Sequence, residues 1–220
     1  KFALYGRESG QRLQSGVLEL KNERQAFEFA DIAEEPVASL LCEFSAPIKV
    51  ERRLSLDDRL KLAAHDEDLF NRWAATNDLW RDLCLAAAGA KPMDDAETAR
   101  ARFTDALRAS LEGADADRAL AAELLKCPSE ADLARDVETI DPAAIAKGRK
   151  IVRRDIAKRL SRELHKTFER MRSNAPYEPK AAQAGERALK NAALSLLVAG
   201  GDDALADEQA RSAAHMSDEG

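Results

Sequence analysis

The sequence predicts a mainly α fold: a partial immunoglobulin-like β-sandwich over residues 1–54, then an irregular α-helical superhelix of antiparallel helix pairs over residues 55–220. Three observations carry this expectation. Near Ser55 the hydrophobic period changes from two to about 3.6 residues, the difference between an alternating strand and the stripe of an amphipathic helix. The apolar 45% is mostly Ala and Leu, aromatics make up 5% and charged residues 34%, a balance that suits helices with solvated outer faces. Beyond Ser55, each break in the pattern pairs a helix stop signal with a new start.

The opening Phe2–Tyr5 has strand character and is followed by a turn signal, Glu8-Ser-Gly-Gln11. Val17–Leu20 and Ala26–Ala30 alternate apolar with polar residues and flank Lys21-Asn-Glu-Arg24, a polar hairpin connection. On the second of these, Phe27 and Phe29 share the face expected to be buried, with Glu28 opposite. Ser39–Phe44 and Ile48–Leu54 complete five short strands, with Pro47 restricting the chain between them. A complete immunoglobulin-like sandwich has about seven strands. The sandwich is therefore expected to be cut, leaving open edges that favour a dimer of two copies. The chain starts at Lys1 directly in strand pattern, without an initiator Met or signal peptide, which predicts a preceding segment.

At Ser55-Leu-Asp-Asp58 a hydroxyl at the N-cap and a carboxylate three residues on predict a capping box. Further breaks fall at Gly89–Pro92, Gly113–Asp115, Pro128-Ser129, Asp141-Pro142, Ser173–Pro179 and Gly200–Asp202, predicting about eight helices joined by short links. Ankyrin and tetratricopeptide patterns are absent, so the expected superhelix is non-repetitive. The strongest pattern is a helix over Ile145–Met171, where Val152, Ile156, Leu160, Leu164, Phe168 and Met171 form one apolar stripe. Beside the stripe lie Lys147, Arg149, Lys150, Arg153, Arg154, Lys158, Arg159, Arg162, Lys166, Arg170 and Arg172. One reading is a free-standing helical adaptor that binds an acidic partner or nucleic acid through basic helix 145–172. The other is a face that meets water or the acidic segments of neighbouring helices. The net charge of -6 and the scarcity of aromatics favour the second, and with it no nucleic-acid partner.

Candidate chemistry is sparse. His65-Asp-Glu-Asp68 brings imidazole and carboxylates together, but it lies between two helical patterns. There Asp66 or Asp68 is expected to cap the following helix, and His65 to complement the dipole of the preceding one. His165 and His215 each lack a second histidine four residues away, so no helix supplies the paired imidazoles of a zinc hydrolase. There is no Gly-x-Ser-x-Gly elbow and no phosphate-cradling glycine loop. Cys42, Cys84 and Cys127 stand far apart in sequence, in contexts that give no sign of a depressed pKa. They are read as buried free thiols of a reducing, cytoplasmic compartment. Phe70, Trp73 and Trp80 are assigned to core packing. No apolar run is long enough to cross a bilayer, so no membrane partner is expected. No catalytic, cofactor-binding or metal-binding residue is assigned.

One resemblance covers nearly the whole chain. Ser39-Leu-Leu-Cys-Glu-Phe-Ser-Ala-Pro-Ile-Lys49, the capped Ser55-Leu-Asp-Asp58 helix and His65-Asp-Glu-Asp-Leu-Phe-Asn-Arg-Trp73 resemble one passage of the bacterial aminopeptidase N family of zinc-dependent alanyl aminopeptidases. Ala119-Leu-Ala-Ala-Glu-Leu-Leu-Lys-Cys-Pro-Ser129, Ile140-Asp-Pro-Ala-Ala-Ile145, Ala188-Leu-Lys-Asn-Ala-Ala-Leu194 and His215-Met-Ser-Asp218 are similar to the family's continuation of that passage. The resemblance implies the end of a β-sandwich domain and the start of a larger helical domain. In that family the zinc helix and the Gly-x-Met-Glu-Asn motif belong to a separate catalytic domain, and neither motif occurs here. The implied role is non-catalytic: a spacer and part of the wall of a peptide chamber. Zinc and peptide substrates would belong to the parent enzyme, and the partner would be the catalytic domain of the same polypeptide.

Overall fold

A computed structural model describes residues 1–48, 50–173 and 178–218, with side chains described through Arg211. The chain divides into two compact units, Lys1–Leu79 and Trp80–Gly220.

The first unit is built on an antiparallel sheet of β1 (Phe2–Gly6), β2 (Arg12–Gly16) and β3 (Pro36–Leu40), in the order β2-β1-β3. The central β1 is buried along its whole length. Its turn to β2 closes through Gly6 N–H donating to Gln11 O at 2.9 Å. Gly10 is required in that turn, because its φ is 69° and a Cβ there would lie 2.6 Å from the His65 ring. Helix α1 (Leu56–His65) follows, then α2 (Leu69–Ala87), whose first half belongs to this unit.

Three strand expectations are corrected. The β1–β2 register sets Phe2 opposite Gly16, so Val17–Leu20 have no β1 residue facing them; Val17 and Leu20 are both 67% exposed. Ala26–Ala30 is irregular rather than a strand, and Phe29 is exposed, resting its ring 5.1 Å from that of Phe2. Ile48–Leu54 carries no strand among its described residues, and Arg52 Nη1 instead donates to Ala38 O at 2.5 Å. The strand expected over Ser39–Phe44 ends at Leu40, where the chain turns left-handed at Leu41, φ 59°. Side chains take over the backbone groups there. Leu40 O accepts from Asn71 Nδ2 at 3.0 Å, and Glu43 N–H donates to Asp68 Oδ2 at 2.6 Å.

A polar chain ties the sheet to the α1–α2 turn. The Tyr5 hydroxyl donates to Asp66 Oδ1 at 3.1 Å and accepts the Glu67 N–H at 2.8 Å. Asp66 Oδ1 also accepts the Asp68 N–H at 3.0 Å, and Asn71 Nδ2 donates to Ser39 Oγ at 2.8 Å. Burial pushes both the Tyr5 phenol and the Asp66 carboxyl above their usual ranges. Tyr5→Phe removes one donor and one acceptor at once, leaving the Glu67 N–H without its partner. It is expected to cost about 1–3 kcal/mol in urea unfolding. Asp66→Asn keeps an acceptor oxygen and should cost less.

The second unit holds the rest of α2 and α3 (Ala96–Glu112), α4 (Arg118–Leu124), α5 (Glu130–Ala134), α6 (Pro142–Arg159), α7 (Ser161–Arg170), α8 (Ala181–Gly200) and α9 (Asp203–Asp218). The starts follow local chemistry. Ser55 and Ser129 form capping boxes with Asp58 and Asp132, and Asp141 caps α6 ahead of Pro142 in its first turn. Helix α8 packs against α4, α6, α7 and α9, burying Leu189, Ala193, Leu196 and Leu197. Trp80, fully buried, donates Nε1–H to Leu124 O at 3.0 Å and meets Phe103 edge-on at 5.3 Å. Phe70 is 46% exposed, which corrects its assignment to the core.

The helix expected over Ile145–Met171 is two helices, α6 and α7, divided at Leu160 (φ −103°, ψ 10°). Hydrogen bonds continue across the kink, from Leu160 N–H to Ile156 O and from Leu164 N–H to Leu160 O, both at 2.9 Å. The apolar stripe therefore stays buried from Val152 to Met171, and both segments lie on α8.

Helix α6 approaches α2 so closely that a Cβ on Gly148 would lie 2.5 Å from Cys84 O and 2.6 Å from Ala88 N. Gly148→Ala gains about 1 kcal/mol of helix propensity, but the obstructing atoms are backbone and cannot rotate away. Overpacking of this kind costs about 1–3 kcal/mol. The variant is expected to unfold at lower urea concentration.

Candidate functional site

The His65–Asp68 cluster is a helix junction. Asp68 Oδ1 accepts the Asn71 N–H at 2.9 Å, capping α2 as expected, whereas Asp66 is the C-cap of α1 and points to Tyr5. His65 sits in the last turn of α1, but burial, with Lys61 and Arg72 nearby, holds its pKa below the ordinary imidazole range. It stands where the sequence placed it, at the C-terminal end of the α1 dipole, and the lowered pKa works against its charged form there. Among the described residues no group of three or more His, Cys, Asp or Glu is arranged to hold a metal ion.

The basic face of α6 and α7 meets acceptors from its own unit. Arg159 pairs with Glu97 of α3 and, at 3.1 Å, with Asp155. Arg100 and Arg108 of α3 reach back to Asp155 and Glu163 at 3.3 and 3.4 Å. Arg170 meets Asp115 at 2.9 Å, and Arg172 meets Glu169 at 3.2 Å and Glu208 at 3.0 Å. Arg149 donates to Pro128 O at 2.7 Å, and Arg153 to Ser195 O and Oγ at 2.9 and 2.8 Å. Most arginines of this face thus meet internal partners, as in the reading favoured from the sequence.

Two arrangements join residues distant in sequence. The His165 Nδ1 lies 2.7 Å from Ser161 O, and its Nε2 lies 2.8 Å from Asp202 Oδ2. A doubly protonated ring donates to both acceptors, so the Ser161 carbonyl, with Asp202, raises the His165 pKa. The side chain of His215 lies outside the described residues. Cys84 Sγ lies 3.6 Å from Cys127 Sγ; all three cysteines are free thiols, Cys42 and Cys84 buried and Cys127 partly so. A hydrogen bond from Cys84, together with Arg149 and Arg153, lowers the Cys127 pKa, while the same bond and burial push Cys84 up. The absence of any pKa-depressing context, expected from the sequence, is thus corrected. The arginines that supply it lie more than 20 residues from Cys127, beyond any local motif.

Residues 56–220 match a domain of unknown function, DUF3458_C, described as ARM repeats, and residues 1–53 match its companion DUF3458, described as an Ig-like fold. The chain belongs to the DUF3458_C family. This DUF3458_C chain is 40% identical over 185 residues to aminopeptidase N of Caulobacter vibrioides, which takes in 84% of this chain and 21% of that protein. It is 32% identical over 207 residues to aminopeptidase N of Escherichia coli, covering 93% of this chain and 24% of that protein. Among solved structures it is similar to aminopeptidase A of Legionella pneumophila, determined in complex with aspartic acid. There the TM-score is 0.74 and the identity 25%, over 90% of this chain and 24% of that one. The chain thus spans about a fifth to a quarter of the length of these relatives. The resemblance read from the sequence is borne out, as is the succession of a sandwich-type fold and a helical superhelix.

The His165 pair has a measurable sign. Because the folded-state pKa is raised, protonated His165 contributes stability that is fully present below the unfolded pKa and is lost as pH rises through the folded value. Asp202→Asn preserves a cap on Leu205 N–H, which Asp202 Oδ1 now accepts at 3.4 Å. It removes the charge. NMR titration is expected to place the His165 pKa above the ordinary imidazole range, and lower in the Asp202→Asn variant.

Proposed function

We propose that the chain is a non-catalytic region of a zinc-dependent aminopeptidase of the aminopeptidase N type, an enzyme that removes N-terminal residues from peptides. In this reading residues 1–54 belong to a β-sandwich that spaces the helical portion from the catalytic domain, and residues 55–220 form part of the wall closing the peptide chamber. One observation carries the proposal. The likeness runs through 84% of this chain at 40% identity, yet accounts for only 21% of the aminopeptidase N it matches.

The chemistry of the chain agrees with a supporting role. The zinc of the parent has no fitting donor set among the described residues, so its ligands and the peptide-binding groups are assigned to the catalytic domain of the same polypeptide. Phe44 is 73% exposed, Leu69 53% and Phe70 46%, with the Phe44 and Phe70 rings 4.7 Å apart. A contiguous apolar surface of this kind suits coverage by another domain. The exposed β2 edge supports pairing between two copies of the isolated chain. Among the described residues no helix is long and apolar enough to cross a membrane, and the free thiols support a reducing, cytoplasmic setting.

The purified chain, incubated with zinc and an alanyl chromogenic substrate, is expected to release no chromophore above the uncatalysed rate. Hydrolysis that follows the chain through purification and stops on chelation would overturn the proposal.

A further inference from the structure

We propose that Cys84 and Cys127 are a peroxide-sensitive dithiol, a modification site at which oxidation forms an intramolecular disulfide between α2 and the α4–α5 connection. The two cysteines are 43 residues apart in sequence, yet their sulfurs lie 3.6 Å apart. A disulfide needs the sulfurs at about 2.05 Å. The sulfurs already meet across one contact, so forming the bond needs them to approach by about 1.5 Å.

The surroundings divide the two roles. Cys127 is partly exposed, whereas Cys84 is 1% exposed, so an oxidant reaches Cys127 first. Arg149, anchored on Pro128 O at 2.7 Å, and Arg153, anchored on Ser195 O at 2.9 Å, supply positive charge beside the pair. An electropositive, partly open setting favours the thiolate, the reactive form. Cys84 is the resolving thiol beneath it. Cys42 belongs to the other unit; its sulfur lies 3.5 Å from Ser39 Oγ in a buried position, so it serves as an internal control.

The oxidant is hydrogen peroxide or an organic hydroperoxide. The Cys127 thiolate sulfur attacks one peroxide oxygen and the O–O bond breaks. Cys127 becomes a sulfenic acid, and the departing hydroxide or alkoxide takes up a proton as water or alcohol. Cys84 then loses its proton and attacks the Cys127 sulfur. The S–O bond breaks, the S–S bond forms, and hydroxide leaves as water with that proton. With hydrogen peroxide, two thiols and one oxidant give one disulfide and two waters; the sulfurs are oxidised and the peroxide oxygens reduced. Low-molecular-weight thiols reverse the bond by exchange.

The disulfide closes a loop that contains α3 and α4 and reinforces a junction where Trp80 already donates to Leu124 O at 3.0 Å. Oxidation is therefore expected to raise the thermal midpoint of the second unit.

The test treats the reduced 220-residue chain with a modest excess of hydrogen peroxide, quenches with an alkylating reagent and maps peptides without reduction. The expected result is a Cys84–Cys127 linked peptide, an intact mass lower by two hydrogens, full alkylation of Cys42, and reversal by dithiothreitol. Cys84→Ser should leave Cys127 as a sulfenic acid captured by dimedone, and Cys127→Ser should leave Cys84 unmodified at the same exposure. Wild-type chain in urea supplies a control that needs no variant to fold: linkage should be at least about tenfold faster in the folded chain, where the thiols are held together. Equal rates in urea and buffer would overturn the proposal. So would over-oxidation of Cys127 with Cys84 still open to alkylation, or reaction of Cys42 as fast as Cys127.

Discussion

Close approach between helices is the constraint on which the larger unit depends. With aromatics at 5% and an apolar fraction built mostly from Ala and Leu, there are few large side chains to fill space between helices held apart. The helices meet instead near backbone distance. Gly148 lies against the carbonyl of Cys84, Gly185 faces the start of α4 at Arg118 and Ala119, and Gly200 faces Ala157. Leu189, Leu196 and Leu197 of α8 are buried, as are the few large rings, Trp80, Phe103 and Phe168. Such packing resists change in either direction, since interiors at this density neither accept extra atoms nor close over missing ones without cost.

The same closeness explains the electrostatics. Helices separated by small residues bring their flanking charges within reach of one another. Arg100 and Arg108 of α3 therefore meet Asp155 and Glu163 across to α6 and α7, while Arg159 returns to Glu97. Exposed pairs contribute only about 0–1 kcal/mol each, and the Arg100–Asp155 and Arg108–Glu163 pairs are half-buried. Their larger effect is on the surface field: a helix that reads as strongly basic in sequence spends much of that charge on internal partners.

Helix starts were legible in the sequence because a cap is a contact across three residues. Ser55 with Asp58, Ser129 with Asp132 and Asp141 with Ala144 all form as their spacing implies. Strands were less legible. Val17–Leu20, Ala26–Ala30 and Ile48–Leu54 alternate as strands do, yet a strand exists only where a neighbour accepts its backbone groups, and the β1 register ends at Gly16. The kink at Leu160 has no Gly or Pro to announce it. Of the chemically reactive groups, each cysteine and histidine could be named individually, but the environment that changes its acidity could not.

The sequence by itself determined the change of period near Ser55, the caps, most helix breaks, the buried stripe from Val152 to Met171 and the family. These properties rest on spacings of a few residues or on the order of segments along the chain. Only the tertiary structure decided that Tyr5 reaches Asp66, that His165 meets Asp202, and that Cys84 and Cys127 stand together beside Arg149 and Arg153. Each of those contacts joins residues tens of positions apart. Side-chain acidity depends on burial and on charges a few ångströms away, and local pattern carries no record of which distant residues packing will bring that close.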